Sequence, residues 1–177
     1  MGLIMKKLFL VAAMASGLTF GTANAADSGH GTVTFTGSII DAPCSITADT
    51  ENQTVDLGGV SNVALKNGGT SLPKDFVIKL TQCSIETFKT VTTTFSGAAS
   101  AGNKDMLGMV GTAKGASIAV TNGDGSLIKL GQPSTKHTLL EGDNTLQFSA
   151  YLQGDGGSAA IIPGTFQSVA DFRLDYQ

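Results

Sequence analysis

The chain has 177 residues, of which 41% are hydrophobic and 14% charged, and its formal net charge is −3. That balance argues against nucleic acid and against anionic membrane surfaces as partners, since both call for a basic excess. Glycine is abundant (23), proline scarce (4) and tryptophan absent; with so few charged residues the surface is expected to be rich in Ser, Thr, Asn and Gly, as suits a protein packed against copies of itself and as many exported β proteins share.

The N-terminus reads as a secretory signal peptide over residues 1–25. Lys6-Lys7 is a short basic region, Leu8 to Phe20 is mostly apolar, and Ala23-Asn24-Ala25 is an A-x-A cleavage site. Met5 reads as the working start. The apolar run is shorter than the ~20 residues a spanning helix needs, and no later stretch reaches that length, so a soluble, exported mature protein is expected. Losing Lys6 and Lys7 from the 11 basic residues leaves 9 against 14 acidic, a net charge of −5 over residues 26–177. That length suits one domain.

Residues 26–37 form an arm. After the polar start Ala26 to Ser28, Gly29, Gly31, Val33, Phe35 and Gly37 fall on one face, and His30, Thr32, Thr34 and Thr36 on the other. Ile39-Ile40 extends the run to Asp41-Ala42-Pro43-Cys44. The domain proper is expected over residues 38–177. Strands are expected at Gln53–Leu57, Asp75–Leu80, Lys89–Phe95, Ala116–Val120, Ser126–Leu130 and Thr145–Leu152, separated by turn signals such as Asn67-Gly68-Gly69 and Asn122-Gly123-Asp124-Gly125. Helical periodicity of useful length is lacking, so the pattern reads as an all-β sandwich.

The last expected strand ends the chain. Gly164, Phe166, Ser168, Ala170, Phe172, Leu174 and Tyr176 alternate with Thr165, Gln167, Val169, Asp171, Arg173 and Asp175, giving one apolar and one polar face from Gly164 to Tyr176. No return strand comes after it in the sequence, so this strand pairs with what precedes it or with another chain.

Cys44 and Cys83 are the two cysteines. In an oxidising compartment they most simply form one disulfide, and closing the ~40-residue loop stabilises the fold by roughly 4 kcal/mol in the chain-entropy picture. A metal pair or a redox pair is the weaker alternative, because the spacing is far from C-x-x-C and neither His30 nor His137 completes a ligand pattern. Catalytic motifs are thin. G-x-S-x-G, H-E-x-x-H and Walker patterns are lacking, and Asp124 sits in a turn-like stretch that does not complete a calcium loop. The expectation is a non-enzymatic protein with no cofactor, metal or small-molecule substrate.

The segment from Gly31 through Val33, Phe35, Gly37 and Cys44 to Ile46, with Asp75 to Cys83, resembles chaperone–usher pilins of the type 1 and P fimbrial kind. So do a glycine fourteenth from the end (Gly164) and a penultimate tyrosine (Tyr176). The resemblance covers the mature chain and implies an incomplete immunoglobulin-like β-sandwich lacking its last strand, completed by a donor strand from another chain. It implies Gly29, Gly31, Val33 and Phe35 as the donor face. It implies Gly164, Phe166, Phe172, Leu174 and Tyr176 as the acceptor groove and chaperone contact. The partners it implies are identical pilin subunits, a periplasmic pilus chaperone and an outer-membrane usher, with export through the periplasm to a surface fimbrium that supports cell adhesion. A major, rod-forming subunit leads; a minor adaptor pilin of the same fibre and a secreted single-domain glycan-binding sandwich are the alternatives. The lack of tryptophan and the presence of only Tyr151 and Tyr176 count against the last.

Overall fold

The computed structural model describes residues 30–157 and 160–177. Residues 1–25, where a signal peptide is expected, Ala26 to Ser28, and Gly29, expected on the donor face, lie outside the described residues. Residues 40–177 form one compact unit, and the segment through Ile39 a separate one. From residue 30 to residue 39 the chain carries no strand ladder, and Val33, Phe35 and Ile39 are exposed.

Ten strands are present among the described residues: β1 Ser45–Ile46, β2 Lys74–Cys83, β3 Thr90–Gly97, β4 Val110–Gly111, β5 Ala116–Asn122, β6 Leu127–Ile128, β7 His137–Thr138, β8 Gly142–Gly154, β9 Phe166–Gln167 and β10 Ala170–Tyr176. They are joined by one helical turn, α1 Ala48–Glu51, and a 3-10 turn at Lys66–Gly68. A five-stranded sheet runs β1-β2-β8-β5-β6, a three-stranded sheet runs β10-β3-β7, and β4 pairs β9. Every pairing is antiparallel.

Alternation explains the core. Ile78 and Leu80 of β2, Leu146, Phe148, Ala150 and Leu152 of β8, Ile118 and Val120 of β5, and Val91 and Phe95 of β3 all face inward and are buried. Phe95 meets Phe148 edge-on at a centroid distance of 5.1 Å, and Phe76 stands 5.6 Å from Phe148 and 6.1 Å from Phe95. These three rings clamp the two sheets together, each such pair adding about 1 kcal/mol beyond its buried area.

Near its end β2 breaks parity. The register with β8 shifts between Leu80 and Cys83, and Gln82 takes a left-handed φ of 54°. This bulge inserts one residue, so Cys83, which the alternation of Ile78 and Leu80 would turn outward, joins the buried face instead. There it forms the disulfide with Cys44, Cα to Cα 4.1 Å. Among the described residues no cysteine is free.

Three expectations need correction. Gln53–Leu57 forms no strand: Val55 and Leu57 do turn inward, but the stretch has no strand alongside to complete a ladder. The expected strand at Ser126–Leu130 shrinks to β6, because Asp124 Oδ1 accepts bonds from Ser126 N (2.9 Å) and Ser126 Oγ (2.6 Å) and holds Ser126 in the turn. The expected single strand from Gly164 to Tyr176 is two, β9 and β10, in different sheets. Ser168-Val169 leaves the ladder between them, with Val169 exposed.

Candidate functional site: an unpaired sheet edge and a separate hollow

β10 pairs β3 from Ala170↔Gly97 to Tyr176↔Val91. Beyond that register Gln177 and Thr90 exchange both backbone bonds at 2.9 Å. In an antiparallel pair bonded and non-bonded positions alternate, so Asp175, Arg173 and Asp171 spend their backbone groups on β3. The N–H and C=O groups of Ala170, Phe172, Leu174 and Tyr176 therefore point to the opposite edge, where no strand lies among the described residues. The far side of β3 is covered by β7 and by Gly131 and Ser134, whose N–H groups donate to Phe95 O (2.8 Å) and Thr93 O (2.8 Å).

The same alternation sets the side chains. Phe172, Leu174 and Tyr176 point to the inner face and pack on the core, yet each is only half-buried, because no strand lies beside β10 among the described residues. Asp171 and Arg173 point outward, and Arg173 pairs with Asp175 on the solvent face. One strand thus offers its unpaired backbone and its apolar side chains from the same residues. Tyr176 stands 6.4 Å from the Phe88 ring, and burial raises its phenol pKa.

Gly164 and Phe166 belong to a different part of the site. They line a hollow of about 290 Å³ with Ala113, Ile161 and Pro163 on one side and Gly58, Gly59, Val60 and Leu65 on the other. At Gly164 two backbones nearly touch. A Cβ there would lie 2.4 Å from Thr112 Oγ1 and 2.6 Å from Ala113 N, so only glycine lets residues 163–165 lie against residues 112–113. The sequence pattern puts Gly164, Phe166, Phe172, Leu174 and Tyr176 in one line. In the structure the last three form the edge wall and the first two form the hollow. The Gly58-to-Leu65 side escapes a sequence reading, because Gly58-Gly59 reads simply as a turn; the inward Leu57 and Val60 flanking it are the available signal.

Asp124 is held below the usual carboxylate range by Ser126 and closes a turn. Asp49 is likewise lowered, first by its bond from Lys79. His137 lies in β7, paired with Val91. Among the described residues no group of three or more His, Cys, Asp or Glu is placed to hold a metal ion.

In a complete immunoglobulin sandwich four strands make one sheet, and in the other a last strand flanks the next-to-last. Here β1, β2, β8 and β5 supply the first sheet, β3 and β10 the second, and among the described residues no strand takes the last place. The fold and its edge define a subunit with an immunoglobulin-like sandwich one strand short. The family described as fimbrial protein matches residues 33–177. The chain is 59% identical to the Fimbria A protein of Serratia marcescens over 173 residues, covering 98% of this chain and 99% of that one. It is 52% identical to the major MR/P fimbria protein of Proteus mirabilis, covering 98% and 99%. Among solved structures it resembles a chaperone–usher pilus subunit (TM-score 0.75, 34% identity, 85% of this chain and 97% of that) and the P pilus rod subunit PapA (TM-score 0.68, 33% identity, 77% and 100%). The chain belongs to the fimbrial protein family, as a structural pilin subunit.

Proposed function

We propose that the subunit polymerises by donor-strand complementation: the arm of one copy, residues 26–37, seats against β10 of the next. The observation that carries this reading is the edge itself, where Ala170, Phe172, Leu174 and Tyr176 present unpaired backbone groups and three of them an apolar wall. An added strand would gain about 1 kcal/mol for each backbone bond and a comparable amount for each half-buried side chain it covers. The arm has a matching chemistry. Val33 and Phe35 stand two residues apart and are exposed in the single chain, and Gly29 and Gly31 continue their face without side chains. A contact from the arm of one copy to the edge of the next is heterologous and does not close, so it builds a filament.

Before assembly the edge is a template for aggregation. A periplasmic chaperone strand would cover it, and an outer-membrane usher would pass the subunit to the growing fibre at the cell surface, after the signal peptide of residues 1–25 has been removed. The likeness to a chaperone–usher pilus supports these partners. Enzymatic activity and cofactors have no part in this reading.

Register supplies the test. Side chains alternate with period two, so deleting one residue between Gly31 and Phe35 turns half of the anchoring face outward. The expected result is an exported, disulfide-bonded subunit that forms no fibres. Normal fibres from that deletion would falsify the donor role.

A further inference from the structure

The proposed donor arm of each subunit enters its own domain at Cys44, and the stretch just beyond Cys44 has few backbone bonds to the sheet, its hold coming from buried Thr50 and Leu65 and from Ile46, Leu57 and Val60 packed on the core. β1 has two residues. Beyond it the attachments to β2 are Thr47 N to Lys79 O (3.0 Å), Lys79 N to Thr50 Oγ1 (3.1 Å), Gln53 Nε2 to Val77 O (3.0 Å) and the exposed Lys79–Asp49 ion pair. Surface ion pairs of that kind contribute little. From Gln53 to Val60 no ladder forms at all. Yet this same stretch leads into Gly58, Gly59, Val60 and Leu65, which make one side of the hollow beside Gly164.

Cys44 itself is tied elsewhere. Its disulfide partner Cys83 ends β2, which pairs with β8 along nearly its whole length and lies inside the five-stranded sheet. Both cysteines are buried, at 4% and 2% exposure. Pro43 O also accepts the Ser84 N–H at 2.9 Å. The chain therefore has two routes from the arm into the domain, a covalent one into β2 and a non-covalent one through residues 45–65.

We propose that the Cys44–Cys83 bond is a mechanical bypass: tension on a subunit's own arm passes into β2 and does not peel residues 45–65 off the acceptor site. Without the bond, a pull at Cys44 reaches the β1 and α1 attachments one after another and then strips the near wall of the hollow. With Gly164 and Phe166 counted in the acceptor groove, as the resemblance implies, that groove would open at the hollow whenever the subunit's own arm is pulled. With the bond, the two ends of the subunit are mechanically separate. This inference rests on the donor-arm reading, because only that reading puts the arm under tension.

The experiment is force spectroscopy on single assembled fibres, oxidised and reduced. A dithiol reductant supplies two electrons and two protons, converting the disulfide to two thiols, and the extent of reduction is counted by alkylation and mass. Peeling from Cys44 to Leu65 frees 21 residues, about 70 Å of chain at full extension. Reduced fibres are expected to give up to about 70 Å of added extension per reduced subunit before rupture, and oxidised fibres none. Thr50→Ala, which removes a bond to Lys79, is expected to leave oxidised fibres unchanged and to lower the peeling force of reduced ones. A Cys44→Ser/Cys83→Ser double variant that assembles should behave as the reduced fibre. Equal extension of oxidised and reduced fibres, or a weakening of oxidised fibres by Thr50→Ala, overturns the bypass. Neither result touches the donor role, which fails separately if chains lacking residues 26–37 still polymerise.

Discussion

Replacing Gly164 by alanine isolates the close approach at the hollow from every other role of that residue. Gly164 does not need a left-handed conformation, so backbone strain is not the issue. The added Cβ would meet Thr112 Oγ1 at 2.4 Å, Ala113 N at 2.6 Å and Thr112 C at 2.7 Å, against an ordinary contact of 3.4 Å or more. Residues 163–165 would have to move away by about 0.7–1 Å. Three bonds span that gap: Thr112 N to Thr165 O at 2.9 Å, Ala113 N to Thr165 O at 3.1 Å and Thr165 N to Thr112 Oγ1 at 3.0 Å. At about 1 kcal/mol each, and with the usual cost of overpacking, the substitution should destabilise the subunit by about 2–3 kcal/mol. That is roughly a hundredfold in the folded-to-unfolded ratio, or a transition lowered by roughly 5–12 °C. The assay is the temperature at which fibres in detergent release monomer, with Gly59→Ala as control. Gly59 borders the same hollow but has open space around its Cβ position, so its substitution should fall within about 0.5 kcal/mol of the parent. If Gly164→Ala fibres dissociate at the same temperature as Gly59→Ala fibres, the close approach is not what requires glycine.

Phe172→Asp or Tyr176→Asp should lower the periplasmic level of the subunit, since a charge on the edge wall opposes any covering strand; an unchanged level by immunoblot counts against the wall assignment. Burial raises the Tyr176 pKa above the ordinary value of about 10. A group whose pKa is raised on folding binds its proton more tightly in the folded state, so the folded form loses stability relative to the unfolded one as the pH rises from the ordinary value through the higher folded value. In a Tyr151→Phe background the phenolate absorbance should appear later than in the unfolded chain, and later again in fibres, where a seated strand buries the ring further. Coincident titration of fibre and unfolded chain refutes the covering of Tyr176.

Much of the fold is legible in the sequence, because antiparallel strands with one buried face print their period on the chain. Asp75–Leu80, Ala116–Val120 and Thr145–Leu152 lie within β2, β5 and β8, which extend beyond them. Periodicity fails where pairing, and not patterning, decides. Val55 and Leu57 alternate correctly in a segment that has no strand to pair with. Phe166 and Phe172 share a parity but sit in different sheets, because nothing local reveals that Ser168-Val169 leaves the ladder. Gln82 itself gives no sign of the bulge, since a glutamine in a left-handed conformation has no local signature; the odd-numbered Cys83 after the even-numbered Ile78 and Leu80 is the one hint. The edge wall is readable as an apolar face. The hollow is not, because it joins residues 58–65 to residues 161–166, about a hundred positions away.

The vacant place beside β10 also changes what stability means for this chain. A closed domain has a folding free energy that belongs to its own sequence. A domain one strand short has a free energy that includes a partner, and gains RT ln(1 + [L]/Kd) from whatever strand L is present, about 2.7 kcal/mol when L is at 100 times Kd. On the donor-strand reading that ligand is the arm of another copy, so the melting point of the subunit is a function of how much of the population has already assembled. Fold and fibre then become one cooperative equilibrium: dilution acts as a denaturant, and the quantity that selection can tune is the concentration at which the chain is folded at all.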